Sequence, residues 1–455
     1  MRLMVREKSF YRTFFAMFFV LVLQQVITLS VNLADNMMLG AYSESALSGV
    51  AAVNQIQFVY NQLVLAFADS IVILGGQYFG RKQYHTVKDI SSMAMRFGLL
   101  LATILFVIIT VMPARMMMIF STDATIIHEG CSYLAIIRFT YFFFAVTQVL
   151  LATLRSTGVV KIALTLSIST LIINCCINYV LIYGHFGAPE MGAAGAAIGT
   201  LIARIVEVVI LVIFIARQEK ILLLKLKDYF GRHNRELFKD YVKLSLPMLF
   251  LNSLWGLNNA AQTAILGHMT ARAIAANSVT STLFLIVKSF SYGSAQTGGF
   301  IVAKTIGEGD AKRLQEYART MQVIFVIVGI LTGTLFFFLR IPVLSIYNLS
   351  EATKAMANQF LMFQALTMAF QSYQMPVNMG LIKGGGDIRY CTKLDLISIW
   401  CIVIPVSVLM AFVFHAPPLL VFFCLNSDQF FKGVPAYIKI NHRVWAHKLT
   451  REEAV

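Results

Sequence analysis

Twelve apolar stretches, each long enough for a helix of about 20 residues, dominate this 455-residue chain and decide what it can fold into. They run over 12–36, 46–78, 94–114, 131–153, 162–184, 193–216, 244–267, 279–303, 320–340, 356–382, 394–414 and 417–438. Such stretches need a hydrocarbon solvent, and the composition agrees: 58% of residues are hydrophobic and 13% charged. A soluble chain carries about 45–50% apolar and about 25% charged residues. A water-soluble enzyme, a disordered chain and a secreted disulfide scaffold are therefore excluded. The expected class is an all-α polytopic membrane protein with 12 transmembrane helices in two six-helix lobes. The basic start followed by apolar Thr13–Leu23 imitates a signal peptide. No small-residue cleavage site follows it, so the stretch reads as a retained first helix.

The basic residues give the sidedness. With the N-terminus inside, 30 Lys and Arg fall on cytoplasmic segments and only Arg115, Arg272, Arg340 and Lys354 outside. The positive-inside rule then puts both termini in the cytoplasm, and it accounts for the net charge of +15 without nucleic acid. The expected location is the cell (inner) membrane, with the lipid bilayer as surroundings. Cys131, Cys175, Cys176, Cys391, Cys401 and Cys424 form no CxxC and no ligand array, so they read as small hydrophobes.

The chain repeats itself. Ala34/Ala261, Leu39/Leu266, Gly40/Gly267, Ala46/Ala273 and Gly80/Gly307 are each 227 apart, and Leu154–Gly158 matches Ile382–Gly386 at 228. Six spans per half give two parallel repeats, the architecture of a secondary transporter. The expected division is an amino-terminal lobe over 1–216, a basic cytoplasmic linker over 217–243, a carboxy-terminal lobe over 244–438 and a cytoplasmic tail over 439–455.

Enzyme motifs are missing: there is no GxxxxGK[ST], HExxH, GxSxG or GxGxxG. The chemistry must lie in the few polar residues inside spans. An ionised carboxylate at mid-bilayer costs about 2.5–3.5 kcal/mol, so Asp35 in span 1 is suited to take up and release a proton. The alternative is an interfacial aspartate ending the helix. Asn174 and Asn178 in span 5 share one helical face, fit to hydrogen-bond a carboxylic acid or hold a small cation, or simply to join two helices. Asp69 in span 2 and Lys288 in span 8 lack local partners, so each is a candidate for the substrate cavity or for a structural pair. Arg204 with Glu207 and Asp428 with Lys432 read as locally neutralised structural pairs; Arg138 has no assigned role. Gly76-x-x-x-Gly80 and Gly195-x-x-x-Gly199 predict close helix crossings. Pro376, near Gln371 and Asn378, predicts a distorted span 10.

Several stretches resemble one family. Ala34-Asp35-Asn36-Met37-Met38-Leu39-Gly40 resembles the first-helix signature of the multidrug and toxic compound extrusion (MATE) transporters, within the multidrug/oligosaccharidyl-lipid/polysaccharide flippase superfamily. The passage from Asn174 to Gly195, the turns Leu154–Gly158 and Ile382–Asp387, and Leu246-Pro247 are similar to further segments of it. The resemblance implies a multidrug efflux antiporter, not an enzyme, that exports organic cations or amphipathic xenobiotics in exchange for H⁺ or Na⁺ by alternating access. It implies ion coupling at Asp35, Asn174 and Asn178, where Na⁺ is an alternative to H⁺, with no cofactor and no resident metal. Some members carry an aspartate where Asn178 stands. Many carry an acid in helix seven where Trp255 stands, and Gln262 is the repeat mate of Asp35. Spans 7–10 hold no Asp or Glu, which directs carboxylate coupling to the amino lobe. Trp255, Gln262, Gln371, Asp69 and Lys288 are the cavity candidates. The expected form is a monomer whose partners are small molecules. The competing reading is a lipid-linked oligosaccharide flippase, which would need a cationic cavity.

Overall fold

The structure is a computed structural model that describes residues 4–121, 123–219, 222, 234–346 and 350–451. The helices are α1 (Lys8–Tyr42), α2 (Glu44–Gly80), α3 (Tyr84–Val111), α4 (Pro113–Met118), α5 (Ala124–Ile137), α6 (Thr140–Ser156), α7 (Lys161–Tyr183) and α8 (Gly192–Gln218). The second half holds α9 (Arg235–Gly267), α10 (Ala271–Glu308), α11 (Ala311–Ile346), α12 (Glu351–Met375), α13 (Ile388–Val413), α14 (Pro418–Leu425), α15 (Asp428–Phe431) and α16 (Gly433–His442). All twelve expected spans fall on helical backbone, and the fold is all-α. Span 4 is broken into α5 and α6, bent by 53°. Span 12 is divided among α14, α15 and α16. Lys220, Lys225, Lys227 and Arg232 of the expected basic linker lie outside the described residues.

The internal repeat holds down to single hydrogen bonds. Ser43 and Thr270, repeat mates, are the N-caps of α2 and α10; each side-chain oxygen accepts from a backbone N–H, that of Ala46 and Ala273 respectively. Such a cap satisfies one of the amides that a helix start leaves open. The paired turns end alike. Gly158 (φ 84°) and Gly386 (φ 91°) both occupy the left-handed region that glycine enters without strain. Val159 N–H donates to Leu154 O and Asp387 N–H to Ile382 O, the six-to-one closure of a glycine-terminated helix.

Packing divides the chain into two compact units, residues 23–245 and residues 1–22 with 246–455. One cut, at 245/246, lies beside the expected linker over 217–243, and a second falls within α1. Sequence position hides the cause. Phe10, Phe14 and Phe18 pack against Tyr317, Phe325 and Phe290, and Glu7 binds Arg313 at 2.9 Å. The amino unit is built round a core of Val50, Val53, Tyr60, Leu134, Tyr141 and Ala196. In the carboxy unit Phe360 stacks on Phe422 at 4.2 Å between ring centroids. The segment after α16 folds back: Ala446 bridges Gly386, His447 N–H donates to Gly385 O at 2.8 Å, and Trp445 is buried.

Candidate functional site

Three helices of the amino unit converge on Asp35. It lies in the later part of α1, between Asn32 and Asn36 on a predominantly apolar helix, and its carboxylate draws polar partners from neighbouring helices, since a buried carboxylate without them is costly. Asn178 of α7 supplies one: its Nδ2 donates to Asp35 Oδ1 at 2.6 Å and to Asn174 Oδ1 at 3.3 Å. Asn174 Nδ2 donates onward to Thr200 Oγ1 of α8 at 3.3 Å. Both asparagines are buried. The four-residue spacing that places them on one face thus makes a ladder of amides ending on the carboxylate.

The close crossing of α7 and α8 makes this possible. Gly195 faces the backbone of Leu181, and a Cβ at Gly199 would overlap Asn178 Oδ1. The glycine pair therefore lets α8 approach near enough for Thr200 to join the chain of bonds, as the small-residue spacing predicted. Tyr133 of α5, buried, interacts with the side chains of Thr200 and Gln57 and feels the charge of Asp35. Thr200, Tyr133 and Gln57 were not picked out from the sequence. They are neutral, come from three different helices and carry no spacing signal of their own.

The chemistry of this arrangement is that of a carboxyl switch. Asn178 Nδ2 serves an ionised Asp35 as donor, while a protonated Asp35 needs an acceptor for its O–H. Asn178 Oδ1 is buried against Gly199 and has no hydrogen-bond partner, so a flip of the amide would offer it to Asp35 as that acceptor. No group of three His, Cys, Asp or Glu side chains with metal-holding geometry occurs among the described residues.

The other singled-out residues fall as follows. Trp255 and Lys288 come together in the carboxy unit, with the ammonium 4.7 Å from the indole centroid. Gln262 donates to Asn258 Oδ1 at 3.3 Å and to Leu425 O at 3.4 Å. Gln371 is buried with Oε1 lacking a hydrogen-bond partner, above a π-helical turn at Pro376–Ile382 where the proline predicted distortion. Asp69 is half-buried on α2 of the amino unit. Arg204 binds Glu207 at 2.8 Å, and Thr170 Oγ1 donates to the same carboxylate at 2.6 Å. Lys432 binds Asp428 at 2.9 Å and also Asp395 at 2.8 Å, a second partner 37 positions away in sequence. Arg138 lies over the rings of Phe106 and Phe139 and donates to Thr110 Oγ1 at 3.0 Å.

Comparison with known proteins covers most of the chain. The MatE family profile matches residues 21–180 and 247–424. A probable multidrug resistance protein NorM of Listeria innocua is 23% identical over 406 residues, 88% of each chain. An uncharacterized transporter, YisQ, of Bacillus subtilis is 23% identical over 421 residues, 91% of this chain and 90% of that one. Among solved structures, an outward-facing multidrug resistance MATE family transporter superposes with a TM-score of 0.85 at 12% identity, covering 96% of this chain and 97% of that one. The eukaryotic MATE transporter AtDTX14 superposes with a TM-score of 0.78 at 18% identity, covering 97% of both.

Proposed function

The chain belongs to the MatE family, a family of membrane transporters and not of enzymes, and from that premise we propose that it exports organic cations or amphipathic drugs in exchange for H⁺. The observation that carries the coupling reading is the 2.6 Å bond from Asn178 to Asp35, between a half-buried carboxylate and a buried amide within a helix bundle. Asp35 takes a proton from outside. The Asn178 amide then loses its anionic acceptor, Asp35 O–H turns to a carbonyl oxygen, and the packing of α1 on α7 changes. That change favours the outward-open form and substrate release. Loss of the proton to the cytoplasm restores the bond and resets the cycle.

The energy suffices. One charge moved across 100 mV supplies about 2.3 kcal/mol, enough for a roughly 50-fold substrate gradient per proton. The relatives called multidrug resistance proteins support the substrate class, and the positive-inside count supports cytoplasmic termini in a cell membrane. The protein acts as a monomer in this reading. A second reading, Na⁺ in place of H⁺, is favoured by the unpartnered Asn178 Oδ1, a ready cation ligand beside Asp35. The deciding experiment is efflux of a fluorescent cationic dye from expressing cells under a proton or a sodium gradient imposed separately. Proton-driven efflux lost in Asp35→Asn supports the first reading and sodium-driven efflux lost in the same variant the second. No efflux of any dye from well-expressed protein rejects both in favour of a lipid-linked saccharide substrate.

A further inference from the structure

Arginine keeps its charge in proteins and is scarce inside membrane spans, where it calls for a partner that offsets the charge. Arg138 is such a residue, and the proposed transport cycle makes no use of it. It stands where span 4 breaks between α5 and α6, which are bent by 53°. The bend does not need its side chain. Arg138 N–H donates to Leu134 O at 3.3 Å, Phe139 N–H to Ile136 O at 3.2 Å and Thr140 Oγ1 to Ile137 O at 2.6 Å, so the turn is closed by its own neighbours. The repeat offsets of 227 and 228 pair Arg138 with Ala365 or Leu366 of α12, which runs unbroken over Glu351–Met375. The carboxy unit therefore has an apolar residue on a regular helix where the amino unit has an arginine at a break.

The guanidinium is held in place but not neutralised. Its Nη1 donates to Thr110 Oγ1 of α3 at 3.0 Å, and that hydroxyl donates in turn to Phe106 O at 2.6 Å. The guanidinium carbon lies 5.3 Å from the ring centroid of Phe106 and 5.2 Å from that of Phe139. One donor of the fork is thus spent on a neutral oxygen. Nε is enclosed without a partner, and no carboxylate pairs with Arg138 among the described residues. Arg204 of α8 differs: Glu207 binds it at 2.8 Å. The surface around Arg138 is apolar and open. Val107 and Val111 of α3 and Phe139 are exposed, and Arg138 itself is half-buried.

Helix lengths give the depth. α6 carries 17 residues from the break to Ser156, about 25 Å at 1.5 Å per residue, against a hydrocarbon core of about 30 Å. Thr110 is the last residue but one of α3. Both place the guanidinium near the boundary between hydrocarbon and head groups, on the face opposite Arg155 and Lys161. That is the outer face in the orientation the basic residues predict. The group that meets an apolar protein surface at this depth is the phosphodiester of a lipid, and a planar guanidinium fork matches phosphate oxygens. We propose that Arg138 and Thr110 form the head-group site of one phospholipid of net negative charge. Its phosphodiester oxygens accept from the Arg138 guanidinium, and an acyl chain lies along Val107 and Phe139. The lipid supplies the anion that the protein lacks here and ties α3 to the break in span 4. A head group with its own ammonium fits less well, because it brings a second cation beside Arg138. The site goes beyond the exporter reading and does not depend on Asp35.

Purified full-length protein, stripped of lipid in a neutral detergent, is titrated with phosphatidylglycerol or phosphatidylcholine and followed by native mass spectrometry and thermal unfolding. The expected result is one phosphatidylglycerol per chain, bound about tenfold more tightly than phosphatidylcholine and raising the unfolding temperature by mass action. Arg138→Gln should lose both the preference and the added stability. Thr110→Val keeps the charge but releases the guanidinium, and should bind severalfold more weakly. Arg115→Gln removes an exposed arginine outside the site and should bind as the wild type does. Equal phosphatidylglycerol binding by wild type and Arg138→Gln overturns the proposal, as does equal affinity for the two lipids. An equal loss in Arg115→Gln means diffuse attraction to a basic surface and also overturns it. Stabilisation by inorganic phosphate as large as that by phosphatidylglycerol at the same concentration makes the ligand a soluble anion and overturns the lipid assignment. If Arg138→Gln does not fold, Arg138→Lys keeps a cation without the fork and should bind more weakly; an unchanged affinity counts against the site.

Discussion

At the scale of single residues, the amino-unit site depends on what is absent at position 199. Asn178 can lie against α8 only because Gly199 has no Cβ. Gly199→Ala should push Asn178 away from Asp35, at an overpacking cost of about 1–3 kcal/mol. The expected outcome is a folded, somewhat less heat-stable protein with gradient-driven export lost, measured by thermal unfolding of purified protein together with dye efflux. Wild-type export in this variant would separate the Asn178 bond from coupling. The aspartate and both asparagines were legible beforehand because a polar group in a membrane span stands out, and a spacing of four puts two of them on one face. Thr200, Tyr133 and Gln57 were not. Each is neutral, and their partnership exists only once α2, α5 and α8 have packed. Lys432 shows the same limit: its i−4 partner Asp428 was legible, and Asp395 on another helix was not.

At the scale of elements, repeat symmetry makes matched predictions. Ser43→Ala and Thr270→Ala each remove the N-cap of one member of a repeat pair, and each should cost about 1 kcal/mol, seen as a lowered unfolding temperature. The folded-back segment after α16 makes another. Burial raises the affinity of Asp387 for a proton, but the Lys439 ammonium at 2.6 Å, aided by Tyr390 N–H, outweighs it and holds this carboxyl below its usual range. A depressed carboxyl group contributes its stability fully above its unfolded value, about 3.9, and loses it as pH falls through the folded value. The tie of Asp387 to α16 should therefore be constant at neutral pH and fail only in acid, whereas Asp387→Asn should break it at neutral pH and loosen the following segment, whose His447 Nε2 lies 3.6 Å from the same carboxylate. Thiol labelling of Thr450→Cys, buried in the docked form, reads this directly; equal labelling with and without Asp387 would contradict it. Helix positions were legible because hydropathy reports burial in lipid, but their ends were not: α3, α9, α10 and α11 begin 8 to 10 residues before the apolar stretches do. The α5–α6 bend and the π-helical turns after Leu396 and Leu409 were not, since loosened backbone hydrogen bonds leave no mark on hydropathy. Pro376 was the exception, since a proline removes a backbone donor.

At the scale of the whole molecule, the distribution of basic residues predicts an orientation that can be tested without any substrate. In a background lacking native cysteines, an impermeant thiol reagent applied to intact cells should label Phe186→Cys, in the strongly exposed turn after α7, and should spare Lys312→Cys until the cells are opened. The reverse pattern would invert the protein and make its proposed export an import. The division of packing inside α1 was hidden from the sequence because the repeat marks where the chain was duplicated, whereas the phenylalanines of the first helix decide which half its beginning packs against.

One carboxylate in the amino unit, Asp35, is proposed to couple proton movement to export. Protein reconstituted into liposomes, with a pH gradient imposed and proton flux recorded alongside movement of a cationic dye, tests it most directly. Opposed proton and dye fluxes are expected in the wild type. In Asp35→Asn no gradient-driven dye movement is expected, with dye binding and folding kept. Opposed fluxes of wild-type size in Asp35→Asn would contradict it.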